Sequence, residues 1–287
     1  MNVQEFIYLR PKQLERLIEE CPIAWIPMGA LEWHSYHLPL GADGIKAESL
    51  IRKAATLFGG GIIFPCRYWG SNSTLKFPYT LEIPTKWQNK FLKSTIKKIY
   101  DMGFKVIILL SGHYPNDFVS MLRKSALNFM DKHPDSYVFA APEYVLLWDQ
   151  GYFGDHAAMW ETNLLLGLYP EYVDINELPD GLKYADRIRR LGIFGKDPKI
   201  HANREVGQKL VDLFAQRLAE LIKKSWESKS QQPIRDVYNE FQKQFKKLAN
   251  IHDLQPALDV LGMEEKKDLV RHAKWMLIYR QKGKPIK

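Results

Sequence analysis

Residues 21–43 read CPIAWIPMGALEWHSYHLPLGAD, an apolar run followed at once by two acids and two histidines. The apolar part, 23–28, has the length and composition of a β-strand that is buried on both faces. Ionisable groups are costly next to a buried strand unless they are paired or bind something together. The stretch therefore predicts a buried strand with a functional site at its carboxyl end.

Apolar runs of the same kind recur along the chain and alternate with helical patterns. Three further strands are predicted at 61–64, 105–110 and 137–141. Apolar residues spaced three and four apart predict helices at 44–58, 86–102, 116–130, 156–168 and 203–224. Strands that alternate with helices form parallel sheets covered on both faces. We therefore expect an α/β fold, a three-layer αβα sandwich with a mostly parallel central sheet.

The last part of the chain differs from the rest. The stretch SKSQQP, 228–233, predicts a linker, and amphipathic helices are predicted beyond it at 234–249 and 264–280, with a short helix between them. We accordingly divide the chain into a catalytic-type domain, 1–228, and a C-terminal helical extension, 229–287.

Composition argues against several classes of protein. The net charge is +8, and 13 Lys and Arg against 8 Asp and Glu in 226–287 place most of this excess in the extension. Lys and Glu alternate there without interleaved glycine and aromatic residues, which indicates a solvated helical face rather than a nucleic-acid site. No stretch approaches the ~20 apolar residues of a membrane helix, and the charged N-terminus is unlike a signal peptide. A cytoplasmic protein without nucleic-acid or membrane partners is expected.

Metal-ligand side chains follow two different strands. Glu32 and His34 come just after the strand at 23–28 and are two residues apart, so in extended chain they point the same way. His113 follows the strand at 105–110, and Asp43 starts the next helix. Carboxyl ends of parallel strands meet at one edge of a sheet, so we expect one shared site for one or two divalent ions. Imidazoles and carboxylates suit Zn, Mn or Fe.

Cysteine is not expected to contribute to that site. Cys21 and Cys66 both lie beside proline near apolar runs, which predicts buried free thiols. Isolated histidines elsewhere are expected to be ordinary polar residues: His133, His201, His252 and His272.

A third group of ionisable residues lies where the helix at 156–168 is predicted to begin. Asp155 either caps that helix or contacts substrate, and Glu161 either faces solvent or borders the site. His156 has the chemistry for proton transfer near neutral pH. We expect His156 and Glu161 to border the site and to be catalytic.

These motifs together resemble the creatininase family. The family pattern G-S/A-x-E-x-H-G-x-H-L-P-L-x-x-D stands here as 29–43, and N-G-H-x-x-N stands as 111–116. The stretches at 77–83 (FPYTLEI), 155–163 (DHAAMWETN) and 191–207 (LGIFGKDPKIHANREVG) are similar to three further motifs of the family. The resemblance covers about 20–225 and leaves the extension uncovered.

The resemblance implies a dinuclear metal centre in an αβα fold, often assembled as a homo-hexamer. It implies that Glu32 and His113 bind one ion and His34 the other, that Asp43 bridges both, and that His156 passes a proton to the leaving group. His37 would support the ligands or touch substrate. We expect four aromatic and acidic residues near the motifs to line a substrate pocket: Tyr36, Tyr114, Tyr152 and Asp155. Each is equally suited to the core or to another structural role.

Departures from the family pattern indicate a reshaped pocket and a substrate other than creatinine. Pro115 stands where creatinine hydrolases have a metal-binding glutamate. Either Glu161 supplies the missing carboxylate as a further metal ligand, or the second metal site is weak or empty. Tyr152 replaces a tryptophan, and three glycines of the motifs are replaced, by Ser35, Tyr79 and Ala158.

The expected function is metal-dependent hydrolysis of a small substrate. An activated water would attack a carbonyl of a cyclic amide, a cyclic amidine or a formyl group. Three alternatives stay open: hydrolytic C–C cleavage of a cyclic keto-polyol, isomerisation of a keto-sugar, and a non-enzymatic interaction protein on a degraded scaffold. Water oxygen in the product separates hydrolysis from isomerisation, and the interaction protein would bind no metal.

Overall fold

The computed structural model describes residues 3–71, 77–248, 254–263 and 265–271. The strands in this part are β1 (Gln4–Glu5), β2 (Ile23–Met28), β3 (Ile62–Ile63), β4 (Gly70–Ser71), β5 (Glu82–Ile83), β6 (Val106–Ser111) and β7 (Tyr137–Pro142). Its α-helices are α1 (Pro11–Glu20), α2 (Ala42–Phe58), α3 (Thr85–Asp101), α4 (Asn116–Lys132), α5 (Met159–Leu168), α6 (Tyr184–Asp186), α7 (Pro198–His201), α8 (Arg204–Glu227), α9 (Gln232–Leu248) and α10 (Gln255–Leu261).

The centre of the fold is a five-stranded parallel sheet in the order β1-β3-β2-β6-β7. Helices α2, α5 and α8 pack on one another, and α3 packs on α4. Helices cover both sides of the sheet, which confirms the predicted three-layer αβα sandwich. The short strands β4 and β5 form a separate parallel pair.

Most predicted elements lie within a few residues of the observed ones. β2 spans 23–28 as predicted, whereas the strand predicted at 61–64 contributes only Ile62–Ile63 to the sheet. β2, β6 and β7 are buried along their whole length, as their continuous apolar sequences indicate. Cys21 is buried, Cys66 is partly buried, and both are free thiols, as predicted except that Cys66 keeps some exposure.

The strand order places a site at one point of the sheet. From β2 the chain crosses through α2 to β3 on one side, and it later returns to β6 on the other side. Ligands of open parallel sheets bind where the strand order reverses, outside the carboxyl ends of the strands. Here that point lies between β2 and β6.

The described part of the extension packs on the rest of the chain. α9 buries Ile234, Tyr238 and Phe241 in the main core. The hydroxyl of Tyr238 accepts a hydrogen bond from the N–H of Ala140 at 2.7 Å and donates one to its carbonyl at 3.2 Å. Because β7 is an edge strand, this pairing satisfies backbone groups that the sheet leaves open.

Beyond α9 the chain returns towards β2. Leu258 and Met263 are buried in a cluster with Trp33 and Phe77, beside the loop that carries Glu32 and His34. Of the helix predicted at 264–280, residues 266–271 are helical, and the rest lies outside the described residues except for position 265. Among the described helices, none has the length and apolarity that crossing a bilayer requires. The division at 228 into two domains stays a prediction.

Candidate metal centre

The carboxyl ends of β2 and β6 bring four of the predicted ligands together. Glu32 and His34 lie on the loop after β2, His113 lies two residues after β6, and Asp43 lies in the first turn of α2. All four are buried, with at most 3% of each residue exposed. The four side chains therefore meet at the reversal of strand order, and the sequence predicted their convergence at the ends of two strands.

Two glycines allow Asp43 to approach the strand ends. A Cβ on Gly112 would lie 2.1 Å from the carbonyl oxygen of Asp43, and one on Gly29 would lie 2.2 Å from the backbone nitrogen of Gly44. Such distances are shorter than any real contact, so only glycine fits at either position. The first turn of α2 is thus wedged between the ends of β2 and β6, which fixes the backbone of Asp43.

Asp43 is shared by two groups of metal-ligand atoms. In site A, Nδ1 of His113 lies 2.8 Å from Oε1 of Glu32 and 3.1 Å from Oδ2 of Asp43. In site B, Nε2 of His34 lies 3.1 Å from Oδ1 of Asp43 and 3.5 Å from Oε2 of Glu161. The three ligand atoms of each site lie within 4.8 Å of one another. One carboxylate oxygen of Asp43 faces each site, which is the arrangement of a bridging ligand.

The chemistry of these donors fits divalent cations. Nε2 of His34 and Oδ1 of Asp43 are buried and make no hydrogen bond within the described part of the chain. Buried polar atoms without hydrogen bonds are costly, and His34 and Asp43 form one group of possible ligands with Glu161. Nitrogen and oxygen donors gathered in this way suit Zn or Mn. Glu161, predicted as a substitute ligand, lies in this group, and its role as a ligand stays a prediction.

Charges within the centre shift its pKa values strongly. Burial lowers the pKa of His113, but Glu32 and Asp43 outweigh it and raise that pKa to about 10. His34 behaves likewise beside Asp43 and Glu161, with its pKa raised well above the usual value. Burial raises the pKa of Asp43, yet the two imidazoles hold it well below its ordinary range. These shifts favour protonated imidazoles beside ionised carboxylates. Because metal ligation requires neutral imidazoles, binding of a cation is expected to release protons.

His156 lies at the edge of the centre with a defined tautomer. Its Nε2 lies 2.8 Å from the carbonyl oxygen of Trp33; because a carbonyl only accepts, Nε2 carries the proton and Nδ1 of the neutral ring is the acceptor. Nδ1 lies 3.7 Å from Oε1 of Glu32. Burial lowers the pKa of His156, which favours the neutral, proton-accepting ring. His156 also forms a third possible ligand group with Glu32 and His34.

The start of α5 differs from the prediction. The helix was expected from position 156, but it begins at Met159, because Ala157 has a φ of +50° and His156 pairs with Phe194 in an antiparallel bridge. The carboxylate of Asp155 accepts hydrogen bonds from the N–H groups of Trp160 at 2.7 Å and Glu161 at 3.2 Å. The capping alternative for Asp155 is therefore confirmed, and its contact with substrate stays a prediction.

The other residues assigned to substrate binding lie in different surroundings. His37 is 1% exposed, its Nε2 lies 3.0 Å from the hydroxyl of Thr162, and burial lowers its pKa to about 3. Tyr36 is exposed and lies edge-on to Trp33. Tyr152 is fully buried, and its hydroxyl lies 2.8 Å from that of Tyr114. Substrate contacts by these four side chains remain predictions.

Two charged residues beside the centre were not identified from the sequence. Lys46 and Glu143 are fully buried, and their charged atoms lie 3.2 Å apart. Lys46 shares a helical face with Leu50 and Ala54, and a lysine on an apolar face is the signal that would have revealed it. Glu143 directly follows β7, at the same edge of the sheet as the ligands.

Comparisons with known proteins agree with this geometry. The family model for creatininase, creatinine amidohydrolase, matches residues 8–222. The creatinine amidohydrolase of Pseudomonas putida is 24% identical over an alignment of 183 residues, and the match covers 55% of this chain and 68% of that protein. The 3-dehydro-scyllo-inosose hydrolase of Thermotoga maritima is 26% identical over 103 residues, 36% of this chain and 33% of that protein.

Solved creatininases share the fold. A Mn form and a mutant of Zn-Zn type each superpose with a TM-score of 0.62, at 22% and 20% identity. The matches cover 78% and 77% of this chain and 99% and 97% of those structures. Since the family model spans well over half of the chain, the protein belongs to the creatininase family.

Proposed function

We propose that the protein is a metal-dependent hydrolase of a small carbonyl compound. The observation that carries this proposal is Asp43, which presents one carboxylate oxygen to each of two adjoining ligand sites. When bound, two divalent ions in such sites supply an activated water and polarise a carbonyl oxygen. Zn, Mn and Fe suit these ligands.

The residues of the chain supply the proton transfer. Nδ1 of His156 faces Glu32 at site A and is the free acceptor of the ring, because Nε2 is held by the carbonyl of Trp33. It is placed to take a proton from the attacking water and to pass it to the leaving atom. Nε2 keeps the ring orientation fixed while this happens.

A cyclic amide, a cyclic amidine or a formyl compound is the substrate class that we favour. The likeness to a creatinine amidohydrolase supports C–N cleavage, whereas Ser35 and Tyr79, in place of family glycines, support a substrate other than creatinine. Hydrolytic C–C cleavage of a cyclic keto-polyol is the second candidate, supported by the partial likeness to a 3-dehydro-scyllo-inosose hydrolase.

Metal-reconstituted protein should be screened against cyclic amides, cyclic amidines, formamides and cyclic keto-polyols in ¹⁸O-labelled water. We expect turnover of one class with ¹⁸O in the product. A product without ¹⁸O would indicate that the reaction is an isomerisation and not a hydrolysis.

Two variants separate the role of a ligand from that of a proton carrier. Asp43→Asn should lose both metal and turnover, while His156→Gln should keep the metal and lose turnover by about 10²- to 10⁴-fold. Loss of the metal from folded His156→Gln would instead make His156 a ligand. Unchanged turnover in His156→Gln would show that His156 does not transfer a proton in the reaction.

A further inference from the structure

The two halves of the metal centre have different electrostatic surroundings. Lys46 lies beside site B, with Nζ 2.7 Å from Oε1 of Glu161. Among the described residues, no Lys or Arg side chain forms an ion pair with Glu32 or Asp43. Within the part of the chain that the structure describes, the ammonium group that pairs directly with a candidate ligand therefore lies on the side of site B.

The ammonium group of Lys46 is held rigidly. It is fully buried, it lies 3.2 Å from Oε1 of Glu143, and it donates a hydrogen bond to the hydroxyl of Tyr114. Nζ also lies 4.4 Å from the centre of the Tyr114 ring. Tyr114 in turn donates to Glu143, so contacts with Glu143, Glu161 and Tyr114 hold the ammonium beside site B.

Both carboxylate oxygens of Glu161 already accept hydrogen bonds within the chain. Its Oε1 accepts from Lys46, and its Oε2 accepts from the N–H of Ala157 at 2.7 Å. A carboxylate that already neutralises an ammonium group is a weaker donor to a second cation, and like charges repel strongly where water is excluded. Among the described side chains, Oε1 of Glu32 in site A, by contrast, lies near the imidazole nitrogens of His113 and His156 and pairs with no Lys or Arg.

We propose that Lys46 makes the two metal sites unequal: site A binds one divalent cation tightly, and site B binds a second one more weakly and exchangeably. This inference rests on the proposed function, because it presupposes the metal centre. Neighbours of ligand side chains change metal affinity by about 10- to 100-fold, and we expect a difference of this size between the sites.

Titration with Mn²⁺, with the free ion followed by its EPR signal, tests the proposal without any substrate. The wild-type chain should bind one ion tightly and a second at least about tenfold more weakly. Lys46→Met, which keeps the length of the side chain without its charge, should tighten the second ion about tenfold or more and leave the first unchanged. Lys46→Arg, which keeps the charge, should behave as the wild type.

Glu143 provides a matched second test. Lys46→Met leaves Glu143 buried without its partner, so the double variant Lys46→Met/Glu143→Gln is included in case the single variant does not fold. Its second ion should also bind more tightly than in the wild type. Glu143→Gln alone leaves the ammonium less compensated, and its second ion should bind more weakly still.

The outcomes distinguish this proposal from the one on which it rests. Two ions of equal affinity in the wild type, or a second ion that binds more weakly in Lys46→Met, would overturn the role of Lys46 and leave the metal centre standing. Failure of the folded wild type and all variants to bind any Mn²⁺ or Zn²⁺ would overturn both.

Discussion

At the scale of single residues, the loop after β2 combines ligands with backbone strain. Ser35 lies in this loop between His34 and Tyr36 and has a φ of +60°. Tyr79, in a second loop, has a φ of +59°. Both positions correspond to glycines in the family motifs, and both keep the left-handed conformation that glycine adopts at least cost. The hydroxyl of Ser35 is buried and has no hydrogen-bond partner within the described residues.

Ser35→Gly should therefore stabilise the protein. A non-glycine residue in this conformation costs about 1–2 kcal/mol and a buried unpaired hydroxyl about 1–3 kcal/mol, whereas the greater freedom of glycine in the unfolded chain offsets about 0.5–1 kcal/mol. We expect the free energy of unfolding in urea to rise by about 1–4 kcal/mol. Ser35→Ala, which removes only the hydroxyl, should gain less; a loss of stability in Ser35→Gly would show that the hydroxyl has a partner.

The grouping of the candidate ligands was predictable from sequence, because side chains that follow parallel strands meet at one edge of the sheet. Glu32, His34 and His113 directly follow strands of continuous apolar sequence, and Asp43 starts a helix. Lys46 was missed because a lysine is normally assigned to solvent; its burial depends on Glu143 and Glu161, which are distant in sequence.

At the scale of elements, the described end of the extension supports the loops around the centre. Leu258 and Met263 pack with Trp33, and a Cβ on Gly262 would lie 2.5 Å from the carbonyl carbon of Gly195. Phe194, the residue before Gly195, pairs with His156. The extension is thus joined by packing to both loops that flank the metal centre.

Leu258→Ala should loosen this contact without unfolding the sheet. Removing a buried leucine side chain costs about 2–5 kcal/mol, and here that loss falls on a local unit. Hydrogen exchange should accelerate at 191–196 and 254–263 and stay unchanged in β2 and β6. Val270→Ala, at an exposed position of the extension, is the control. Equal rates of hydrogen exchange in both variants would mean that the extension does not stabilise the loops.

Element boundaries were less predictable than element types. The helix expected from 156 begins at Met159, because its first amides bind the side chain of Asp155 and the chain before it pairs with Phe194. Pairing across 38 positions leaves no periodic signal in the sequence. The contacts of Tyr238 with β7 were likewise unpredictable, since tertiary packing alone creates them.

At the scale of the whole molecule, metal binding and folding should be coupled. The centre joins β2, α2, β6 and α5, and buried carboxylates lose their mutual repulsion when a cation binds. Assembly into a homo-oligomer, a hexamer by resemblance, and a cytoplasmic location stay predictions, as does the absence of nucleic-acid and membrane partners.

Removal of metal should lower the thermal stability of the protein. A ligand at 100 times its dissociation constant adds about 2.7 kcal/mol, which corresponds to a rise in Tm of about 5–10 °C for a chain of this size. Differential scanning calorimetry with and without a chelator measures this shift. Asp43→Asn should show almost none; the same shift in that variant would place the stabilising ion elsewhere.

The central claim is that Asp43 bridges two cation sites, and anomalous diffraction from crystals grown with Zn²⁺ tests it most directly. At the zinc absorption edge, the account predicts a strong peak bounded by Glu32, Asp43 and His113, and a weaker peak bounded by His34, Asp43 and Glu161. Well-diffracting crystals of the folded protein with no anomalous peak next to the carboxylate of Asp43 would contradict it.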